Sequence, residues 1–398
     1  MFRLAPILSL LAVPAAAQHG YYFVLGTGMP VTIERLDPLL SDGKTPSQHV
    51  HSVVGGNGFA ATMDYAQTQT SNCSTVQPIA DKSNYWMPIL YFQDPNNGSF
   101  IRVPEQPYHK IYSLLDKYGT SSNTYDTSIQ EFPQEFRMIG GDATLRAEND
   151  TLMGPYGSGL EWFCHGNGTT EFPDISAVGF PTGFTACPNG FAASITLPSC
   201  WNGDDFNPSN PSAHMAYPTA DGIDGCPETH RVARFPQIFV EYWLNIDTFD
   251  GLYTADDSPF VLTMGDATGY GFHVDFINGW ESGALNATMP TCTPGNTGNP
   301  PLSDPTCFGN HGGIYTDDEI ADCLLQPTTT EATGWTYPEI DNPQGGALTH
   351  GGVLSALPGC QTITKGPDRA VLTTCNETSP TTEGEVVQTD EVGVCNFD

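Results

Sequence analysis

The sequence predicts an all-β fold, a β-sandwich or jelly roll in one domain, with long disulfide-stapled loops and few short helices. Three observations lead there. The 398 residues include 42 glycines and 33 prolines, which break helical periodicity repeatedly. Short runs rich in aromatic and β-branched residues recur: YWMPILYF at 85–92, QIFVEYWLN at 237–245 and FVLTM at 260–264. Turn signals separate these runs, in place of the helical stretches that a β/α alternation requires.

Taken in order, the chain opens with MFRLAPILSLLAVPAAAQHG, which has a basic start, an apolar centre and a small-residue cleavage site. Residues 1–17 therefore read as a secretory signal peptide, with Gln18 as the expected mature start and a secreted, extracellular protein as the outcome. Cleavage after Gln18 would leave His19 terminal and able to chelate copper, but Ala17 fits the small-residue rule better. Residues 18–292 form the main β domain. Short helices are expected near 111–117 and 317–324. Residues 293–375 read as a cysteine-containing extension packed on that domain, and 376–398 as an acidic, Thr-rich tail. No later stretch reaches the roughly 18 consecutive apolar residues of a membrane span.

Composition narrows the partners. Asp and Glu number 45 against 13 Lys and Arg, a net charge of -32. Phosphate recognition depends on clustered Lys and Arg, so nucleic acid is excluded as a partner. A neutral polysaccharide or cell-wall matrix fits better than a polyanion. Six sequons, at Asn72, Asn97, Asn149, Asn167, Asn286 and Asn376, mark surface positions in a glycoprotein. Eleven cysteines in an oxidising compartment are expected to be mostly disulfide-bonded, with at least one free or intermolecular and the pairing undetermined. None forms a C-x-x-C knuckle, which disfavours a zinc–cysteine site.

The stretch GDATGYGFHVDFINGW at 265–280 carries the sharpest chemical signal. In a strand, Phe272, Val274 and Phe276 face one way, and His273 and Asp275 face the other. The expectation is a core-seated strand that presents an imidazole and a carboxylate to a cleft; the alternative is a hydrogen-bonded pair. SQHVHSVVGGNGF at 47–59 adds His49 and His51, which share a face in an extended chain. Two such strands could assemble a three- or four-ligand site for zinc, copper or manganese.

A second group lies in PSCWNGDDFNPSNPSAHMAYP and the following CPETHRVARFPQIFVEYW. Glu241 shares a strand face with Phe239 and Trp243, where burial would raise its pKa toward that of a glycosidase acid. Asp142, Asp266 and Asp275 are candidates for the second carboxylate. His214 and Tyr217 join the candidate catalytic residues, and Trp201, Trp280, His230 and Arg137 the substrate-binding ones. A Tyr–His pair could alternatively serve β-elimination in a polysaccharide lyase, given local positive charge from Arg35, Arg137, Arg231 or Arg234.

With these residues in place, the chain resembles a secreted fungal family called domain of unknown function nineteen-ninety-six, whose members often carry WSC modules. The matching stretches are RLDPLLSDGKTPSQHVHSVVGG, DKSNYWMPILYF, FRMIGGDA, LPSCWNGDDF, AHMAYP, CPETHRVARFPQIFVEYW, GDATGYGFHVDFINGW and LPGCQTITKGPDRA, in order from Arg35 to about Ala370. His49, His51, His214, His230, His273 and Asp275 fall on family motif positions. Two positions depart: Gln48 stands where the family usually has Ser, and Pro211 lies where a further His usually precedes A-Y-P. The resemblance implies an extracellular, disulfide-rich protein associated with cell walls, and names no activity.

The expected function is action on, or binding of, cell-wall polysaccharide through a His/Asp-lined cleft, by hydrolysis with or without a metal. The alternative is a non-catalytic metal-binding, glycan-binding or matrix protein.

Overall fold

A computed structural model describes residues 22–106, 109–115, 125–149, 158–219, 225–292, 305–328, 331–334 and 353–372. The signal segment, His19, Asn376 and the tail lie outside these.

Two antiparallel sheets face each other across one core. The six-stranded sheet runs β1 (Tyr22–Gly26), β7 (Lys110–Leu114), β15 (Gln237–Leu244), β11 (Phe191–Thr196), β9 (Glu161–Cys164), β10 (Ile175–Ala177). The five-stranded sheet runs β2 (Thr32–Glu34), β3 (His51–Gly55), β4 (Asn84–Pro88), β17 (His273–Ile277), β8 (Arg137–Gly141). Period-two patterning decides which side chains meet. From β15, Ile238, Val240, Tyr242 and Leu244 enter the shared core, where they join Val54, Tyr85, Met87, Met138, Val274 and Phe276 of the other sheet. The alternate β15 residue Phe239 instead packs with Val24, Tyr112 and Leu114 on the outer face. The result is the expected all-β sandwich.

Two small sheets flank it: β16 (Phe260–Leu262), β5 (Leu90–Gln93), β6 (Phe100–Arg102), and β13 (Met215–Ala216), β12 (Cys200–Trp201), β14 (Ala233–Arg234). The run at 85–92 is thus two strands, divided at Ile89 where the chain leaves the five-stranded sheet for a smaller one.

The described α-helices are short: α1 (Tyr65–Thr68), α2 (Ala284–Thr288) and α3 (Asp317–Ala321). α3 sits where the sequence places it, started by a reciprocal Thr316–Glu319 capping box. The helix expected at 111–117 is not formed. Lys110–Leu114 is β7, because Ile111 serves the main core while Tyr112 and Leu114 serve the opposite face, a split that only an extended chain allows.

Four disulfides join pairs of described residues: Cys73–Cys323, Cys164–Cys187, Cys200–Cys226 and Cys292–Cys307. The first spans 250 residues and ties the part of the chain after 292 to the loop that follows β3. Described residues of that later part also pair with the main body, through the Pro78–Ile314 and Phe100–Leu354 bridges. No described helix is long and apolar enough to cross a membrane.

Candidate metal centre

The second face of the five-stranded sheet carries the site. Register places Asp275 opposite Trp86 on β4, and Trp86 opposite Val53 on β3. His51 lies opposite Pro88 of β4, two residues along. His273 precedes Asp275 by the same two residues, so Pro88 separates the two histidines across the sheet. Side chains at these alternate positions share a face. A proline ring between two imidazoles leaves room for them to lean together. Much of the remaining face is apolar, with Val53, Trp86 and Ile277 packed under Leu36, Leu39, Phe59 and Met63, but the register also puts buried Glu34 opposite His51 and Arg137 opposite Ile277.

His49 completes the group from a different source. It lies just outside the sheet, in irregular chain before β3 begins at His51, rather than on a common strand as its spacing suggested. Its ring nevertheless rests on His51, with centroids 4.3 Å apart, and meets His273 edge-on at 5.2 Å.

One ligand atom from each of His49, His51 and His273 lies within 4.8 Å of the others. His49 Nε2 and His273 Nε2 are 3.2 Å apart. Asp275 Oδ2 is 3.6 Å from His273 Nε2 and 3.9 Å from His51 Nε2. Four donors around a zinc ion at the usual bond length would stand about 3.3 Å apart. The His49–His273 pair matches that spacing, and Asp275 stands somewhat wider from His273 and His51.

Tautomers follow from the partners. His51 Nδ1–H donates to the Leu36 carbonyl at 2.9 Å, and His273 Nδ1–H donates to the Gly271 carbonyl at 2.9 Å. A carbonyl only accepts, so each Nδ1 carries the proton and each Nε2 turns a lone pair inward. His51 Nε2 and Asp275 Oδ1 have no hydrogen-bond partner, and neither does His49 Nδ1. Orphaned buried polar atoms are costly, and here two of the three belong to groups facing one point.

Electrostatics agree. Burial lowers the His51 pKa to about 3 and that of His273 to about 4, which keeps both imidazoles neutral. Burial, with a contribution from the nearby Asp37 carboxylate, pushes Asp275 well above the ordinary carboxylate range. Asp37 itself is raised to about 6 by burial, against the Leu40 and Leu39 amides and Trp86 that lower it. A bound dication would reverse the penalty on an ionised Asp275.

The expected open cleft is not what these residues line. His49, His51, His273 and Asp275 are 4, 1, 4 and 1 % exposed. Chain from 35–50 lies over them, held by Arg35, which binds Glu331 and donates to the Ser47 carbonyl at 2.9 Å.

The other candidates sit elsewhere. Glu241 is on the outer face of the six-stranded sheet, where it accepts from Tyr112 Oη at 3.1 Å and lies 3.5 Å from Lys110 Nζ. It belongs to a different sheet from His273. Asp142 pairs with Arg369, and Asp266 with Arg146. Trp280 is in the main core, not presented for stacking, because its neighbours on that face are core side chains. Trp201, His214 and His230 do gather, around β12 and β13. Trp201 packs on Phe136 and Phe235, His214 Nε2 meets the Arg137 carbonyl at 2.9 Å, and His230 Nε2 lies 3.2 Å from the Ala213 carbonyl. Tyr217 donates to the Thr196 carbonyl at 3.0 Å. Of the arginines a lyase would recruit, Arg35 binds Glu331, Arg234 binds Asp126, Arg231 donates to Cys226, and Arg137 donates to Met63.

Asp37, Glu331 and Gln361 around the site were not singled out from the sequence. The carboxylate in RLDPLL lies close to His49 in sequence; the other two lie about 300 residues from His49 and leave no local signal.

A family model described as Domain of unknown function (DUF1996) matches residues 37–280, more than half of the 398-residue chain. No curated protein and no solved structure matches.

Proposed function

This chain belongs to the DUF1996 family, a domain with no assigned activity, and we propose that it is a secreted metal-binding protein. In this reading His49, His51, His273 and Asp275 hold one divalent ion. The observation that carries it is the convergence of three buried imidazoles, beside a buried carboxylate whose Oδ1 has no hydrogen-bond partner. Three imidazoles and one carboxylate suit zinc best among zinc, copper and manganese, since four N and O donors match the ligand count of its closed sites. The Leu36 and Gly271 carbonyls act as the outer partners that orient metal-bound histidines.

A closed four-ligand centre favours a non-catalytic role, because catalytic zinc keeps a position open for water or substrate. Hydrolysis of cell-wall polysaccharide at these residues ranks behind it. The burial of His273 and Asp275, and the separate sheet of Glu241, both weigh against a shared acid–base pair. Secretion is read from the N-terminal segment, and disulfides among the described residues support it.

The test is elemental analysis of the purified protein after dialysis. One zinc per chain is expected in the wild type, and a small fraction of that in His51→Ala and His273→Ala. Wild-type protein that carries no metal, and takes up none on titration with zinc, copper or manganese, refutes the reading.

A further inference from the structure

His49 is the one proposed ligand that the sheet does not hold, and its Nδ1 lacks the carbonyl that steadies each of the other two imidazoles. Ser47 Oγ donates to the His49 carbonyl at 3.1 Å, and further support for the segment comes from far along the chain. Gln361 Nε2 donates to the Gln48 carbonyl at 2.9 Å and to the Gly359 carbonyl at 3.3 Å. The Gly359 amide donates to Glu331 at 3.2 Å, and Glu331 grips Arg35, which binds the Ser47 carbonyl. Gly359 has φ +72°, and a Cβ there would come within 2.5 Å of the Gln48 oxygen, so backbone lies directly on the ligand segment. Leu357 packs with Val50 and Ile33 beneath it.

The same stretch reaches the other half of the site. Thr364 donates its amide to the Gly265 carbonyl at 2.8 Å and receives the Ala267 amide at 3.3 Å. Arg146 Nε donates to Thr364 Oγ1 at 2.6 Å and lies 3.5 Å from Asp266. Asp266 Oδ2 accepts the Gly271 amide at 2.7 Å, and the Gly271 carbonyl orients His273. Residues 357–364 therefore touch both the segment that supplies His49 and the turn that orients His273.

We infer that residues 357–364 are a strap that closes the metal centre: Gln361 positions His49, and the strap seals the ion from water and external ligands. This rests on the metal-binding reading above. It also places the closing element outside the span matched by the family model, which ends at 280.

The experiment uses the full secreted chain loaded with zinc or with cobalt(II), as wild type, Gln361→Glu and Gly359→Ala. Gln361→Glu keeps the side-chain size but sets a carboxylate against the Gln48 carbonyl. Zinc transfer to a chromophoric chelator is timed, and the cobalt absorption spectrum is recorded with and without azide. Wild type is expected to release zinc slowly and to show a spectrum indifferent to azide. Both variants are expected to release zinc roughly ten- to a hundredfold faster, and their cobalt spectra to change with azide. Variants with wild-type circular dichroism that release zinc at the wild-type rate overturn the strap. A wild-type cobalt spectrum that responds to azide overturns it too, whether or not the variants fold. Wild type that binds neither metal overturns the metal centre itself, and the strap with it.

Discussion

At the scale of single residues, the centre is defined by what each polar atom lacks. Asp275 is buried against two imidazoles at 3.6 and 3.9 Å, and no hydrogen bond satisfies Oδ1. Without a cation this carboxyl is a liability, and with one it is a ligand. Asp275→Asn is therefore expected to change sign with metal. It raises the stability of metal-stripped protein by about 1–3 kcal/mol, and lowers that of the zinc-loaded protein. Urea unfolding in chelator and in zinc reads both; a destabilisation of equal size in the two conditions contradicts the account.

Asp81 shows the same physics away from the site. Burial raises its pKa to about 6, against hydrogen bonds from Ser83 and Tyr85 that lower it. A folded-state value above the ordinary 3.8 means the folded protein holds a proton that the unfolded chain releases. The stabilising contribution is full below pH 3.8 and is lost as pH rises through 6. Between pH 4 and pH 7 wild type is expected to lose about 2 kcal/mol relative to Asp81→Asn. Denaturant midpoints at the two pH values check this, and parallel pH dependence in the two proteins contradicts it.

At the scale of elements, β17 was legible in the sequence because its alternation is strict. Phe272, Val274 and Phe276 reach the sandwich core, while His273 and Asp275 turn to the other face. Phe276→Ala, which empties a fully buried position in that core, is expected to cost about 3–5 kcal/mol by thermal or urea unfolding. A cost below 1 kcal/mol would mean the strand is not seated as described. β15 was equally readable, and placed Glu241 on the face with Phe239 and Trp243. What periodicity could not reveal was which sheet each strand joins, so Glu241 and His273 looked combinable and are not. Nor could H-x-H spacing show that the strand starts only at His51, leaving His49 in irregular chain. That β4 runs between β3 and β17, with Pro88 in the row of His51, is a topological fact with no local signature. The misread helix at 111–117 has a simpler cause: its Ile, Tyr and Leu suit either period, and the core on both faces decided it.

At the scale of the molecule, chain beyond the matched family span packs on the proposed centre. Cys323 joins Cys73, Glu331 holds Arg35, and residues 357–364 lie over the ligand segment. The Cys73–Cys323 bond closes a loop of 250 residues and anchors this later chain close to β3. Replacing both cysteines with alanine is expected to lower stability by about 2–5 kcal/mol. It is also expected to speed zinc loss, because the later chain is then held by fewer links. Unchanged melting and unchanged zinc release in that variant would detach the two halves of the account. The net charge of -32 adds a general attraction for cations, which favours metal capture without choosing the metal.

X-ray absorption at the zinc edge of the purified full chain tests whether three imidazoles and one carboxylate close around one ion. The account predicts one zinc with four nitrogen or oxygen neighbours at about 2.0–2.1 Å, imidazole scattering beyond them and no sulfur. A six-coordinate shell of water-like oxygens, a sulfur shell, or a protein that holds no zinc would contradict it.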